Sequence, residues 1–302
     1  MNELAPFLEA AVRTATPLLL AAIGEAIAER AGVLNLGLEG CLIAGAFAAF
    51  VAANVAPGAG YAAAMLSGAA MGTLLVLFSV VMRRDQIIVG TALTMLGLGV
   101  SGALFRANAS ASSALVLATD AVVPIPGLSR IPGIGPALFS QPLITYVAVL
   151  LVPLTWWLLH RTHAGLAIRA VGDAPEAAAA AGIRVRTVQA AAVITGSALG
   201  GLAGGALVMA QAGTFAEGMS AGRGFLAIAI VALGRWKPAG VLLASVVFGA
   251  AMALQFVVQS LGWQLRYELV LMIPYVLTLG ALGAFGRGAA PAMLGRSGPA
   301  PG

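Results

Sequence analysis

Residues 40–82 read GCLIAGAFAAFVAANVAPGAGYAAAMLSGAAMGTLLVLFSVVM, and no charged residue falls between Glu39 and Arg83. A membrane-spanning helix needs about 20 mostly apolar residues, so this stretch holds two. They turn at Pro57-Gly58-Ala59-Gly60, a cluster of the residues that break helices. The alternation of apolar and polar residues that marks barrel strands is absent, and Gly and Ala are abundant. The stretch therefore predicts helices.

The rest of the chain follows the same rule. Charge-free windows run 86–105, 131–159, 187–216, 238–265 and 269–286. Spans are expected near 10–28, 38–55, 61–82, 87–106, 142–160, 187–211, 238–260 and 268–286. The piece 224–234 is too short to cross untilted and reads as a half-span, its broken backbone buried in protein. The fold expected is all-α, a polytopic helical transmembrane bundle of about 8 spans, or 9–10 with half-spans counted. One membrane domain covers 1–286; residues 287–302 read as a disordered tail. Residues 107–140, with Pro124, Pro126, Pro132 and Pro136, read as a long external loop.

Composition agrees. Over 302 residues, 60% are hydrophobic and only 9% charged, against about 25% charged in soluble domains. That excludes an ordinary cytosolic enzyme and a domain for binding a nucleic-acid polymer; the surface the chain meets is a lipid bilayer. Of the 16 basic residues all but Lys237 are arginine. Eleven fall in 25–39, 83–85, 161–186, 235–237 and the tail, and five on the other side, so the richer side is expected to be cytoplasmic. The single cysteine, Cys41, forms no internal disulfide and reads as a small packing residue.

Two polar blocks interrupt the spans. The first is Gly24-Glu25, then Glu29-Arg30-Ala31-Gly32-Val33-Leu34-Asn35-Leu36-Gly37-Leu38-Glu39-Gly40. It is either a re-entrant or interfacial element beside a transport path or a solvated cytoplasmic turn between spans. The physical argument for the first is that ionisable residues at membrane depth are costly. On it, Glu25, Asn35 and Glu39 are candidate path residues. The second block is AGLAIRAVGDAPEAAAAAGIRVRTVQ, residues 164–189. Asp173 and Glu176 have the spacing of a capping box, with Pro175 in the first turn and Gly182 as a stop. A free helix of about two turns is marginal in water, so either a partner or the chain's own face holds it.

Other features carry less. Gly196 to Gly205 contains overlapping GxxxG spacings, which let transmembrane helices approach closely. His160 and His163 lack a third ligand, so no metal site is expected. There is no P-loop, H-E-x-x-H or G-x-S-x-G pattern; the chain is expected to have no catalytic activity and no cofactor of its own.

Taken together, the two blocks and a third stretch, Gly222-Arg223-Gly224-Phe225-Leu226-Ala227-Ile228-Ala229 with Leu233-Gly234-Arg235-Trp236-Lys237-Pro238-Ala239-Gly240, carry a family likeness. The chain resembles the permease subunit of ABC importers, in the branch of branched-chain amino acid and simple-sugar permeases. The phrase from Gly24 to Gly40 is most similar to nucleoside or simple-sugar importer permeases. The resemblance covers about 16–286. It implies a similar but distinct second permease (a heterodimer), a cytoplasmic ATPase that carries the ATP, and an extracytoplasmic binding protein or lipoprotein, at a bacterial inner (plasma) membrane. It also implies that about 161–186 is the coupling loop, with Arg169, Gly172, Asp173, Glu176 and Gly182 engaging the ATPase. The run Ala177–Ala181 departs from relatives, which often carry charges there.

Two alternatives are kept open. A branched-chain amino acid permease shares the fold. A self-sufficient secondary transporter would need ion-carrying residues inside its spans, and the windows 40–82, 187–216 and 238–265 have none. A membrane enzyme would need clustered His, Asp or Glu at one face, which the sequence lacks.

Overall fold

The computed structural model describes residues 4–56, 58–107, 116–131, 135–260, 272–273, 276, 278–280 and 290–295. Helices α1 (Leu4–Arg30), α2 (Leu38–Val55), α3 (Gly60–Leu75, continued by a π turn, Val76–Val81) and α4 (Gln86–Ala107) come first. A small hairpin follows: β1 (Val122–Pro124) and β2 (Ser140–Pro142) run antiparallel, Val123 opposite Gln141, with the short α5 (Gly135–Phe139) between them. Then come α6 (Leu143–Arg161), α7 (His163–Asp173), α8 (Pro175–Ala180), α9 (Val185–Ala206, continued by a π turn, Leu207–Ala212), α10 (Arg223–Leu233) and α11 (Pro238–Ser260). Six of these are long and apolar enough to cross a membrane, while 223–233 and 238–254 are shorter apolar helices. The protein is an all-α polytopic bundle. The expected span near 268–286 lies largely outside the described residues.

Helix α9 is the axis on which α1, α2 and α3 pack. Hydrocarbon tails are as apolar as leucine, so transmembrane helices gain from van der Waals contact between close backbones. Gly196 lies against Gly24 of α1, Gly204 against Leu42 of α2, and Gly201 against Ala64 and Gly68 of α3. A Cβ at any of these glycines would overlap a backbone carbonyl. The GxxxG run is therefore the common seam of four helices. In contrast, α4 exposes Met95 and Leu96, and α6 exposes Leu150, Leu154, Trp156 and Trp157. Those faces suit lipid or another subunit.

Two interruptions in the spans are repaired by neighbours. Pro17 inside α1 cannot donate to the carbonyl four residues earlier; that carbonyl, of Arg13, accepts from Gln211 Nε2 at 2.7 Å. The π turn of α9 sends the Gly213 N–H to Val208 O (2.8 Å), and Met209 O accepts from the Asp120 N–H instead (2.8 Å). Leu117 N–H bonds Gly213 O at 2.7 Å, and Tyr61 OH donates to Asp120. So residues 116–120 of the long loop are fastened across the ends of α3 and α9.

Two sequence expectations change. The long loop contains the hairpin and α5. Residues 290–295, within the tail expected to be disordered, form a turn against the bundle, with the Met293 N–H bonded to Gly172 O at 3.1 Å.

Candidate functional site

Helix α1 ends at Arg30, and the chain then turns back into the bundle before α2 begins at Leu38. The depth follows from Asn35, whose Nδ2 donates to Ser197 Oγ of α9 at 3.1 Å. Ser197 lies about 18 Å along α9 from its arginine-flanked start, at 1.5 Å per residue, well inside a roughly 30 Å hydrocarbon layer. The loop 31–37 therefore runs as irregular backbone from the arginine-rich side, at Ala31 and Gly32, into the bundle at Asn35. Such backbone persists only where protein satisfies its polar groups, because each unsatisfied one costs several kcal/mol.

Many of those groups have partners. Gly32 N–H bonds Glu29 O (2.9 Å) and Val33 N–H bonds Ala28 O (3.2 Å). Leu34 N–H bonds Gln86 Oε1 (2.8 Å), and Asn35 N–H bonds Glu25 Oε1 (2.9 Å). Leu36 O accepts from Thr94 Oγ1 (3.0 Å), and Ala31 O from Gln189 Nε2 (3.3 Å). Side chains from α1, α4 and α9 thus hold one loop. Glu25 Oε2 and Asn35 Oδ1 make no hydrogen bond, although both residues are buried.

The second break is the start of α10. Its N-cap, Gly222, is left-handed with φ 79° and offers no side chain to cap the helix. Glu39 supplies the cap from α2: Oε1 accepts from Gly222 N–H (2.8 Å) and Oε2 from Gly224 N–H (2.6 Å). A carboxylate here meets both the unpaired amides of a helix start and the positive end of its dipole. Gly224 permits the approach, since a Cβ there would lie 2.6 Å from Glu39 Cα. At the other end of α10, Trp236 Nε1 donates to Glu29, and Arg30 donates to Trp236 O from Nε (3.2 Å) and Nη2 (3.1 Å). The half-span is fixed at both ends.

Of the three candidate path residues, the structure brings Glu25 and Asn35 together and gives Glu39 to α10. All three are at most 4% exposed; Glu25 and Glu39 hold backbone amides, and Asn35 holds Ser197. Sequence reasoning missed Gln86 as the partner of Leu34, Ser197 as that of Asn35 and Trp236 as that of Glu29. The lone glutamine at the start of an apolar span was the available signal for the first; Ser197 was hidden within a glycine run.

The candidate coupling residues fall on the arginine-rich side, with the ends of α1, α6 and α9. Helix α7, unforeseen from sequence, is capped by Thr162, whose Oγ1 accepts from Gly165 N–H at 3.0 Å. It buries Ile168, Val171 and Gly172. The predicted capping box does not form: Asp173 is the last residue of α7, and the N-cap of α8 is Ala174 without a side-chain bond. The reason is that α7 continues through Asp173 and leaves the chain only one residue to turn. Pro175 does begin α8. Gly182 ends it as expected, left-handed at φ 83°, with Gly182 N–H to Ala179 O and Ile183 N–H to Ala178 O. Asp173, Glu176 and Gly182 are exposed, Arg169 is half-buried, and Gly172 is packed against the Arg30 carbonyl. Apart from Ala178, the alanines of α8 face outward.

Among the described residues no cluster of three or more His, Cys, Asp or Glu could hold a metal.

Comparison with known proteins places this geometry in context. Residues 7–282 match a family described as branched-chain amino acid transport system / permease component. The chain is 36% identical to TsgC13 of Haloferax volcanii, an ABC transporter permease provisionally named for glucose, over 87% of this chain and 80% of that one. It is 35% identical to the guanosine ABC transporter permease NupQ of Bacillus subtilis, over 92% of this chain and 91% of NupQ. It is 27% identical to a second guanosine permease of that organism, NupP, over 79% of this chain and 70% of NupP. No solved structure matches the chain.

Proposed function

The chain belongs to the branched-chain amino acid transport system / permease component family, and from that premise we propose that it forms the membrane path of an ATP-driven importer for nucleosides or simple sugars. The observation that carries the proposal is α8. It is a six-residue helix presenting small alanines on the arginine-rich side, in a chain without a nucleotide-binding loop of its own. A helix so short needs a partner to fix it, and an ATPase subunit that closes on ATP is the partner that would push it. ATP and its hydrolysis then belong to that subunit, and this chain needs no cofactor and has no catalytic role. Arg169, Gly172, Asp173, Glu176 and Gly182 form or frame the contact.

The path itself is assigned to the midplane. Broken helices at mid-depth are where transporters place their substrate sites, and Glu25, Asn35 and Glu39 hold the two broken segments. Movement of those segments would open the route, as two packed arrangements of a bundle interconvert. A second, distinct permease completes it; the two guanosine permeases of Bacillus subtilis support a pair over a single repeated chain. The site of action is a bacterial inner membrane, with a binding protein or lipoprotein delivering substrate on the opposite side.

The test is purification of the tagged chain from its native membrane in mild detergent, with mass spectrometry of what accompanies it. Reconstitution follows, measuring uptake of labelled guanosine, glucose and leucine. Co-purification of an ATPase and a second permease, with ATP-dependent uptake of guanosine or glucose, is the expected result. Leucine as the sole substrate would move the reading to the amino acid branch. Uptake by the chain alone, driven by a proton gradient, would overturn it.

A further inference from the structure

Three backbones meet on the arginine-rich side, two of them at a distance that only glycine allows. The first is the end of α1, Arg30 to Gly32. The second is Gly172, one residue from the end of α7. The third is the turn at Pro291–Leu294, closed by Leu294 N–H on Pro291 O at 3.1 Å. A Cβ on Gly172 would overlap the Arg30 carbonyl, and one on Gly32 would lie 3.1 Å from Met293 Cβ. The Gly172 carbonyl belongs to the last turn of α7, where helix carbonyls have no partner within the helix. It accepts from the Met293 N–H at 3.1 Å. Pro291 is buried and Leu294 packs on the main core. The turn therefore caps α7 from a part of the chain more than a hundred residues away in sequence.

We propose that the Pro291–Leu294 turn is a positioning element that clamps α7 to the end of α1, so that displacement of α8 reaches the midplane. This rests on the reading of α8 as the ATPase contact. The physical reason is the order of connections. Only Ala174 separates α7 from α8, so whatever fixes the end of α7 fixes the root of α8. Gly172 touches the Arg30 backbone; Arg30 and Glu29 hold Trp236 at the end of α10; Glu25, one helical turn further in, holds Asn35. Without the turn, the Gly172 carbonyl loses its protein donor, and α7 loses the contact that ties it to Gly32 at the end of α1. It can then yield when α8 is pushed, and the push is dissipated.

The experiment uses the complex purified from its native membrane and reconstituted in vesicles, with guanosine and glucose as probes. The quantity read is substrate transported per ATP hydrolysed. Three variants are compared with the parent: a chain ended at Ala289, Met293→Pro, which removes the single N–H donor, and Met293→Ala, which keeps it. The first two are expected to lower the ratio roughly five-fold, the scale on which one hydrogen bond shifts a two-state equilibrium. They should retain the ATPase subunit and its basal hydrolysis, and Met293→Ala should match the parent. An unchanged ratio in the shortened chain would overturn the proposal. So would loss of the ATPase subunit, which would make the turn a docking contact, or failure of the chain to reach the membrane, which would make it a folding element. If the parent complex itself lacks an ATPase or uptake, the importer reading is what fails.

Discussion

The midplane and the arginine-rich surface are both polar interruptions of an apolar chain, yet they are built on opposite principles. At the midplane the breaks in the backbone are answered by side chains from other helices: Gln86, Glu25 and Thr94 for Leu34, Asn35 and Leu36, and Glu39 for the start of α10. On the surface, α8 has a proline start, a glycine stop and no side-chain cap. Water can satisfy what protein does not at the surface, and nothing else can at mid-depth. Residue identity is therefore dictated in one region and left free for a partner in the other. Substitutions that separate stability from transport put this contrast at risk.

The largest loss is expected at Glu39. Glu39→Ala leaves the Gly222 and Gly224 amides unpaired inside the bundle, at about 3–5 kcal/mol for breaking a buried, charged arrangement. Glu39→Gln keeps one acceptor and should fall between. Thermal unfolding of the purified complex in detergent ranks the three. If alanine matches the parent, α10 is held by something other than this carboxylate, and the midplane is less determined than its hydrogen bonds indicate.

Glu25 should show a smaller and asymmetric response. Glu25→Ala removes the acceptor for Asn35 N–H and costs about 1–3 kcal/mol. Glu25→Gln keeps that acceptor and replaces Oε2, a buried oxygen without a hydrogen bond, by an uncharged amide nitrogen. Gln should therefore be neutral or stabilising in the same unfolding measurement. A glutamine as damaging as alanine would mean that the charge itself is required.

How much of this could be read in the sequence differs between the two regions, for the same physical reason. The spans were legible because charge cannot enter hydrocarbon cheaply: 61–82 was expected and Gly60–Val81 found, 187–211 expected and Val185–Ala212 found. The half-span near 224–234 was legible from its length alone. The partners of Asn35 and Glu39 were not, because Ser197 and Gly222 lie more than 150 positions away and helix packing alone brings them together. At the surface the stop at Gly182 is local and was readable. The failure of the Asp173 cap is also local, but it depended on α7, whose amphipathic residues look like loop beside the far more apolar spans. Residues 290–295 were misjudged from composition, since a Pro- and Gly-containing tail gives no sign that one of its amides will find a helix carbonyl.

A third effect is smaller still. Gln211→Ala releases the Arg13 carbonyl that Pro17 leaves without its helical donor, at about 1 kcal/mol. Pro17→Ala restores the donor, so in the double variant the loss should largely disappear. A loss that persists in the double variant would show that Gln211 acts elsewhere than on that carbonyl.

The smallest effect on folding should accompany a complete effect on transport, and it separates the two regions most sharply. Gly172 is a poor place to test coupling, because a side chain there strikes the Arg30 backbone and damages packing first. Ala179 is exposed on α8 and its neighbours are alanines. Ala179→Trp should leave unfolding within about 0.5 kcal/mol, as surface changes do, and the chain should insert normally. The indole would nevertheless stand where a closely fitting partner must seat, so ATP-driven uptake of guanosine or glucose should be abolished. Parallel assays of unfolding and uptake on that one variant decide the matter. Retained uptake would mean that α8 meets no partner closely, and its smooth face would then need another explanation.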